Sequence, residues 1–206
     1  MSQIAAAADV SEEDLLRADL YDFLAALLAR PPGPDLIARS RALTGDETAL
    51  GQAIAALARV AGKVGRAEVG REFDRLFIGL GRGELVPYAS FYMTGFLNER
   101  PLAALRGDMA RLGIGRAPNV YEPEDNIASL CEMMAGLITG RFGAPAPLAV
   151  QRDFYNRHLA PWAGPFFTDL EGAQGSFFYA PVGAIGTVFM EIEKQAFRMA
   201  AAADTA

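Results

Sequence analysis

The apolar residues of this chain recur at every third or fourth position through most of its 206 residues. Ala and Leu together supply 60 residues, whereas the β-branched Val, Ile and Thr supply 25, a balance that favours helices over sheets. A strand would show apolar and polar residues in alternation, and no such run of useful length occurs. The sequence therefore predicts an all-α protein.

Glycines and prolines divide this pattern into about ten predicted helices. The first begins after Ser11, which forms a variant capping box with Asp14, and ends at Arg30 before Pro31. The others are predicted at residues 34–43, 46–63, 66–78, 91–97 with Ser90 as cap, 101–112, 123–138 with Pro123 at the first helical position, 148–159, 161–170 and about 183–203. No linker or repeat interrupts the series, so we expect one domain over residues 1–206, with frayed ends at about 1–10 and 202–206.

The net charge and the small number of Cys and His residues argue against several classes of function. Acidic residues outnumber basic ones by 25 to 19, for a net charge of −6, which argues against a nucleic-acid-binding protein and favours a basic partner. Cys131 is the single cysteine and His158 the single histidine, so one chain offers neither a disulfide framework nor a zinc site of His and Cys ligands.

The ends and the apolar stretches favour a cytoplasmic protein without stable membrane insertion. Residues 1–10 contain no Lys or Arg and so lack the charged region of a secretory signal. The longest uncharged apolar stretch, residues 177–190, contains Pro181 and is shorter than the ~18 to 20 residues that a membrane span needs.

An acidic cluster at residues 121–126, Tyr-Glu-Pro-Glu-Asp-Asn, is placed at the predicted start of a long helix. Its carboxylates can simply complement the helix dipole and cap free N–H groups, at ~0.3 to 1 kcal/mol each. They can also form a recognition site, because exposed carboxylates accept Arg in a charge-assisted, bidentate geometry. Both interpretations stay open on composition alone.

Aromatic residues mark a second segment. Phe73, Leu76 and Phe77 recur at helical spacing, which is most typical of a core. Pro87 and Tyr88 follow in a predicted loop, and loop aromatics beside acids form a surface suited to a peptide with basic and apolar residues.

Catalysis has little support. There is no nucleophile elbow, and the glycine-rich run at residues 79–83 follows a predicted helix, whereas a dinucleotide site requires a strand. The alternative function is a nucleotide-dependent switch or small enzyme using Glu122, Asp125 and His158, because paired carboxylates can do acid–base work or hold Mg²⁺.

In their order and spacing these segments resemble the TorD/DmsD family of cytoplasmic chaperones for molybdoenzymes, also called redox enzyme maturation proteins. One family motif, an Arg-Leu-Phe-x-Gly run leading to a Pro-aromatic-x-Ser loop, is matched at residues 75–79 and 87–90. The other, Glu-Pro-x-Asp-His, is matched at residues 122–125, with Asn126 in place of His. The first helix and the segment 177–179 also look like the family.

The resemblance implies a TorD-like, all-α chaperone without enzymatic activity. Its implied partners are the twin-arginine leader peptide and the apo catalytic subunit of a molybdenum or tungsten oxidoreductase, bound during cofactor insertion and before export. It implies no cofactor, metal or catalytic residue of its own. The implied signal-peptide-binding residues are Tyr21, Phe73, Leu76, Phe77, Pro87, Tyr88, Ser90, Glu122, Pro123, Asp125 and Asn126.

Finer points of the resemblance concern the client and residue 126. Residues 127–134 and 158–162 look most like members that accompany formate dehydrogenases, while sulfoxide, amine N-oxide, nitrate and selenate enzymes stay open as clients, and the chain is expected to be a monomer or a homodimer. Asn126 cannot carry the positive charge of imidazole, so a pH-sensitive or nucleotide-linked role of that histidine is not carried over.

The resemblance also predicts how variants behave. Glu122 and Asp125 are expected to be exposed, so that changes to Gln and Asn weaken leader binding and leave folding almost intact. Tyr88 is expected to behave in the same way, whereas Phe77 is expected to act through folding wherever it is core.

Overall fold

Ten α-helices and two π-helical turns form the fold in a computed structural model that describes residues 10–116 and 121–203. The helices are α1 Glu12–Leu28, α2 Pro34–Arg41, α3 Ala49–Ala61, α4 Arg66–Phe73, α5 Ala89–Thr94, α6 Arg100–Leu112, α7 Ile127–Thr139, α8 Leu148–Phe154, α9 Ala163–Gly172 and α10 Tyr179–Ala203. The π-helical turns Asp74–Ile78 and Tyr155–Leu159 continue α4 and α8. The described residues contain no strand, and the all-α prediction is confirmed.

Local signals determine several helix ends, and those at the start of α1 and the end of α6 are as the sequence predicts. Ser11 Oγ accepts a hydrogen bond from Asp14 N at 3.1 Å and so caps α1. Gly95, Gly113 and Gly140 end α5, α6 and α7 with φ values of 84°, 70° and 79°, a left-handed conformation that favours glycine.

The predicted start of α7 at Pro123 is wrong. The helix begins at Ile127, and Asn126 is its cap, since Asn126 Oδ1 accepts a hydrogen bond from Ala128 N at 2.9 Å. The acids of residues 122–125 therefore lie in the turn before the helix and not in its first turn.

Several other predicted boundaries are also wrong, among them those of α5 and α10. The short helix α5 runs from Ala89 to Thr94, so Ser90 lies inside it and does not cap it. The last helix begins at Tyr179 and continues to Ala203, so Ala202 and Ala203 are helical and not frayed. The rest of the predicted frayed ends, apart from Val10, lies outside the described residues.

Helix α7 lies at the centre of the core. Ten of its 13 residues are buried, which explains why it is apolar on nearly every side. Helix α1 packs along it, while α10 packs against α9 and α3. Cys131 on α7 is fully buried and burial raises the pKa of its thiol, as expected for a small buried hydrophobe.

The contact between α9 and α10 requires glycine. A Cβ on Gly183 would lie 2.5 Å from Glu171 N and 2.7 Å from Phe167 O, closer than real Cβ atoms approach backbone. The absence of a side chain at this position lets the two helices approach closely.

A partly buried ion pair joins α1 to α10. Arg17 donates two hydrogen bonds to the Glu193 carboxylate, at 2.7 and 2.8 Å, and Tyr21 Oη donates to the same carboxylate at 3.0 Å. Tyr21 is fully buried, so it does not lie on a surface where a peptide could contact it, contrary to expectation.

Of the described helices, none combines the length and apolarity needed to cross a membrane.

The N-terminus of α10 is capped by a buried side chain from α4. Glu72 Oε1 accepts from Phe177 N at 2.8 Å and Tyr179 N at 2.9 Å, and Glu72 Oε2 accepts from Phe178 N at 3.1 Å. The first N–H groups of a helix have no partner within it, so this carboxylate satisfies them and places negative charge at the positive end of the helix dipole.

Replacing Glu72 with Gln should lower the free energy of unfolding by about 2 to 4 kcal/mol, because the amide loses the charge and one of two acceptor oxygens. Urea unfolding at neutral pH measures the effect. Glu47→Gln is the control, since the Glu47 side chain is exposed and makes no hydrogen bond among the described residues. Equal unfolding midpoints for the two variants would show that the Glu72 cap contributes nothing.

Candidate functional site

The two motif segments are distant in the sequence and adjacent in the fold. Ala89 N donates to Asp125 O at 2.9 Å, and Ile127 N donates to Pro87 O at 2.9 Å, so the segment before α5 pairs with the turn before α7. This short antiparallel bridge holds the starts of the two helices side by side.

Asp125 is internal. Its side chain is 1% exposed, and Oδ2 accepts from Ser90 N at 2.8 Å and from Ser90 Oγ at 2.5 Å. The expectation that Asp125 is an exposed recognition acid is therefore wrong: the carboxylate and the fully buried Ser90 fasten α5 to the turn before α7.

Glu124 also joins the motif turn to a neighbouring helix. It accepts two hydrogen bonds from Arg106 on α6, at 3.0 and 2.8 Å, and lies 3.6 Å from Arg116. Burial alone would raise the pKa of Glu124, but the hydrogen bond and charge of Arg106, with the charge of Arg116, outweigh it and hold the pKa below its ordinary value. This glutamate links α6 to the motif turn.

Glu122 is the exposed acid of the three. Its backbone carbonyl accepts from Arg116 at 2.7 Å, while its carboxylate has no hydrogen bond or ion pair with another described residue. Partial desolvation raises the pKa of Glu122, as expected for a carboxylate that forms no ion pair within the described ranges.

An apolar surface groove of about 420 Å³ opens beside the first motif. Ile78 is 59% exposed and Phe96 69% exposed along it, which leaves unusually large apolar side chains in contact with solvent. The groove is lined by Phe77, Ile78, Gly81, Arg82, Gly83, Leu85, Val86, Pro87, Tyr88, Phe91, Gly95, Phe96 and Leu97.

The wall of the groove is formed where the chain folds back on the π-helical turn Asp74–Ile78. Leu85 N donates to Leu76 O at 2.8 Å. A Cβ on Gly83 would lie 2.5 Å from Leu76 O, so this return of the chain requires glycine. Phe77 packs edge-on against Phe73 behind the wall, with ring centroids 4.9 Å apart.

Three residues of the expected binding set come together in the groove: Phe77, Pro87 and Tyr88. The structure distributes the others: Tyr21, Phe73, Leu76, Ser90 and Asp125 are interior, Asn126 caps α7, Pro123 is half-buried and Glu122 is exposed.

The expected binding set misses the other ten groove residues, among them the exposed Ile78, Arg82, Phe96 and Leu97. The pattern assigns Leu97 to the end of a helix, but Gly95 ends that helix and turns the following residues to the surface. Gly95 is the sequence signal that could have placed Phe96 and Leu97 at the surface.

The residues of the alternative enzyme are not brought together. His158 is buried, and its Nε2 lies 2.8 Å from Asp108 Oδ2. Burial lowers the pKa of His158, although Asp108 opposes this. In the part of the chain that the structure describes, neither Glu122 nor Asp125 bonds to His158, and no three His, Cys, Asp or Glu side chains are grouped as metal ligands.

Comparison with known proteins gives the family. The model of the nitrate reductase delta subunit family matches residues 44–168, more than half of the chain. The chain belongs to this family. It is the family of the TorD chaperones, whose members act in molybdoenzyme maturation and are not enzymes, and the TorD/DmsD resemblance is confirmed.

Individual relatives agree with this assignment. The chaperone protein TorD of Vibrio cholerae serotype O1 strain ATCC 39541 is 26% identical over 198 residues, covering 86% of this chain and 90% of the relative. TorD of Aliivibrio salmonicida is 29% identical over 135 residues, covering 61% and 62%. A crystal structure described as that of a redox enzyme maturation protein from Archaeoglobus fulgidus shares the fold, with a TM-score of 0.56 and 20% identity over 85% of this chain and 94% of its own.

Asp125→Asn should lower the free energy of unfolding by about 1.5 to 3 kcal/mol, because the charge-assisted bonds to Ser90 are lost. Asp125 Oδ1 is buried and has no hydrogen-bond partner, so an amide nitrogen in its place would be an unsatisfied donor. Denaturant unfolding measures the effect, with Glu122→Gln as the exposed control. Should both variants unfold at the same denaturant concentration, the Asp125 bonds do not stabilise the fold.

Proposed function

We propose that this chaperone binds the twin-arginine leader peptide of a molybdenum or tungsten oxidoreductase, together with its apo catalytic subunit, before export. The observation that carries the proposal is the exposed apolar groove beside the two family motifs. A leader of this kind has two arginines followed by an apolar segment, and an apolar segment of a peptide gains most from a preformed apolar groove.

The arginine pair has a matching acid at Glu122. Its carboxylate is exposed and without a partner among the described residues. The turn that carries it leads directly into Ile127, whose N–H donates to the carbonyl of the groove residue Pro87. An exposed carboxylate accepts a guanidinium through two parallel hydrogen bonds, a geometry that Lys cannot reproduce. The net charge of −6 favours the approach of a cationic leader.

The client and the compartment follow from the same proposal. Formate dehydrogenase is the proposed client, supported by the resemblance at residues 127–134 and 158–162, and leaders of sulfoxide, amine N-oxide, nitrate and selenate enzymes are the comparison set. Binding a leader before export places the chaperone in the cytoplasm, where it acts as a monomer or a homodimer.

Titration calorimetry with a twin-arginine leader tests this proposal. Changing both peptide arginines to lysine should weaken binding by about 1.5 to 3 kcal/mol, because the bidentate bonds to Glu122 are lost. Glu122→Gln should bind both peptides with nearly equal affinity. Equal binding of the two peptides to the wild-type protein, or no binding of either, would rule out specific leader recognition.

The groove itself is tested with a pair of isoleucines. Ile78→Ser should weaken leader binding by about 1 to 2 kcal/mol, because apolar contact area is lost. Its free energy of unfolding should change by about 0.5 kcal/mol or less, as for other exposed positions. Ile192→Ser is the matched control, since Ile192 is 44% exposed on α10 and does not line the groove. Similar leader affinities for the two variants would contradict the placement of the site.

A further inference from the structure

The groove carries one charged side chain. Of its lining residues Arg82 alone is charged, and none is acidic. Arg82 is exposed, and its guanidinium lies over the Phe91 ring at 4.7 Å from the centroid, within the range of a cation–π contact. It has no hydrogen bond or ion pair with another residue in the described ranges, so a positive charge faces the groove without a carboxylate to balance it.

The glycine-rich loop places this arginine. Gly79 and Gly81 have φ values of 62° and 95°, which L side chains rarely adopt, and Gly83 lies too close to Leu76 O for a Cβ. The three glycines together turn the chain tightly enough to bring Arg82 back over Phe91.

The neighbouring charges are directed elsewhere. Glu84 Oε1 accepts from Gln174 N at 2.6 Å, and Arg75 donates to Gly175 O, so both side chains engage the connection between α9 and α10. Neither of them lines the groove. The electrostatic character of the groove therefore depends on Arg82.

We infer that Arg82 determines the charge specificity of the groove: it selects a neutral or acidic apolar peptide segment and keeps the arginine pair of the leader outside. This inference rests on the proposed leader binding. A cation inserted among apolar side chains loses hydration and meets a like charge at short range, whereas a carboxylate there gains an ion pair. Such a repulsive element is a usual source of specificity in binding sites.

Three leader peptides test the inference. They share the arginine pair and differ at one position of the apolar segment, which is the natural residue, Glu or Lys. By fluorescence anisotropy, the wild-type protein should bind the Glu peptide about tenfold more tightly than the Lys peptide, and Arg82→Glu should reverse this order. High ionic strength should reduce both preferences, because it screens exposed charges.

Arg59→Glu is the matched control, because Arg59 is an exposed arginine on α3 outside the groove. It changes the net charge by the same amount and should keep the wild-type order. If Arg82→Glu fails to fold, as judged by circular dichroism, Arg82→Gln replaces it and should remove the preference without reversing it. A preserved wild-type order in the folded Arg82 variant overturns the inference and leaves leader binding intact, whereas failure of the natural leader to bind wild-type protein overturns the proposed function and, with it, this inference.

Discussion

The hydrogen bonds between Asp125 and Ser90 hold in place the side of the groove that Pro87 and Tyr88 form. They join the start of α5 to the turn before α7, and α7 is the buried centre of the core. Pro87 and Tyr88, immediately before α5, line the groove, so their position depends on a carboxylate that never reaches solvent. Asp125 and Ser90 are motif residues, and they affect the candidate site by holding its neighbouring segments in place. A buried carboxylate that keeps its hydrogen-bond partners holds those segments rigidly.

At least four of the 25 acidic residues have a structural role of this kind. Glu72, Glu124, Asp125 and Glu193 are buried, and each holds two segments together through hydrogen bonds. The net charge of −6 acts on the approach of a peptide from a distance and does not by itself describe the charges at the site. In the proposed mode of binding, Glu122 at the motif turn meets the arginine pair of the leader, and Arg82 at the groove meets its apolar segment.

The helices could be predicted from the sequence because their signals are local: apolar spacing, Ser11 as a cap and glycines at the ends. The buried position of Asp125 could not be predicted, because its partner Ser90 lies 35 residues away in the sequence. An acid shortly after Pro123 is also typical of the first turn of a helix. Phe77 and Ile78 are adjacent and both apolar, yet one is half-buried and the other exposed. Whether such a residue is buried or exposed depends on the packing of the whole chain. For this reason the sequence predicted only part of the groove.

The ion pair between Arg17 and Glu193 has a consequence for synthesis on the ribosome. The two residues are 176 positions apart, so a nascent chain cannot pair Arg17 and Tyr21 with that carboxylate until residue 193 has emerged. Contacts of such long separation close late, because loop-closure entropy must be overcome first. Helix α1 can therefore pack on α7 before its contact with α10 forms, and until Glu193 arrives Arg17 and the Tyr21 hydroxyl lack the carboxylate that they share in the finished fold.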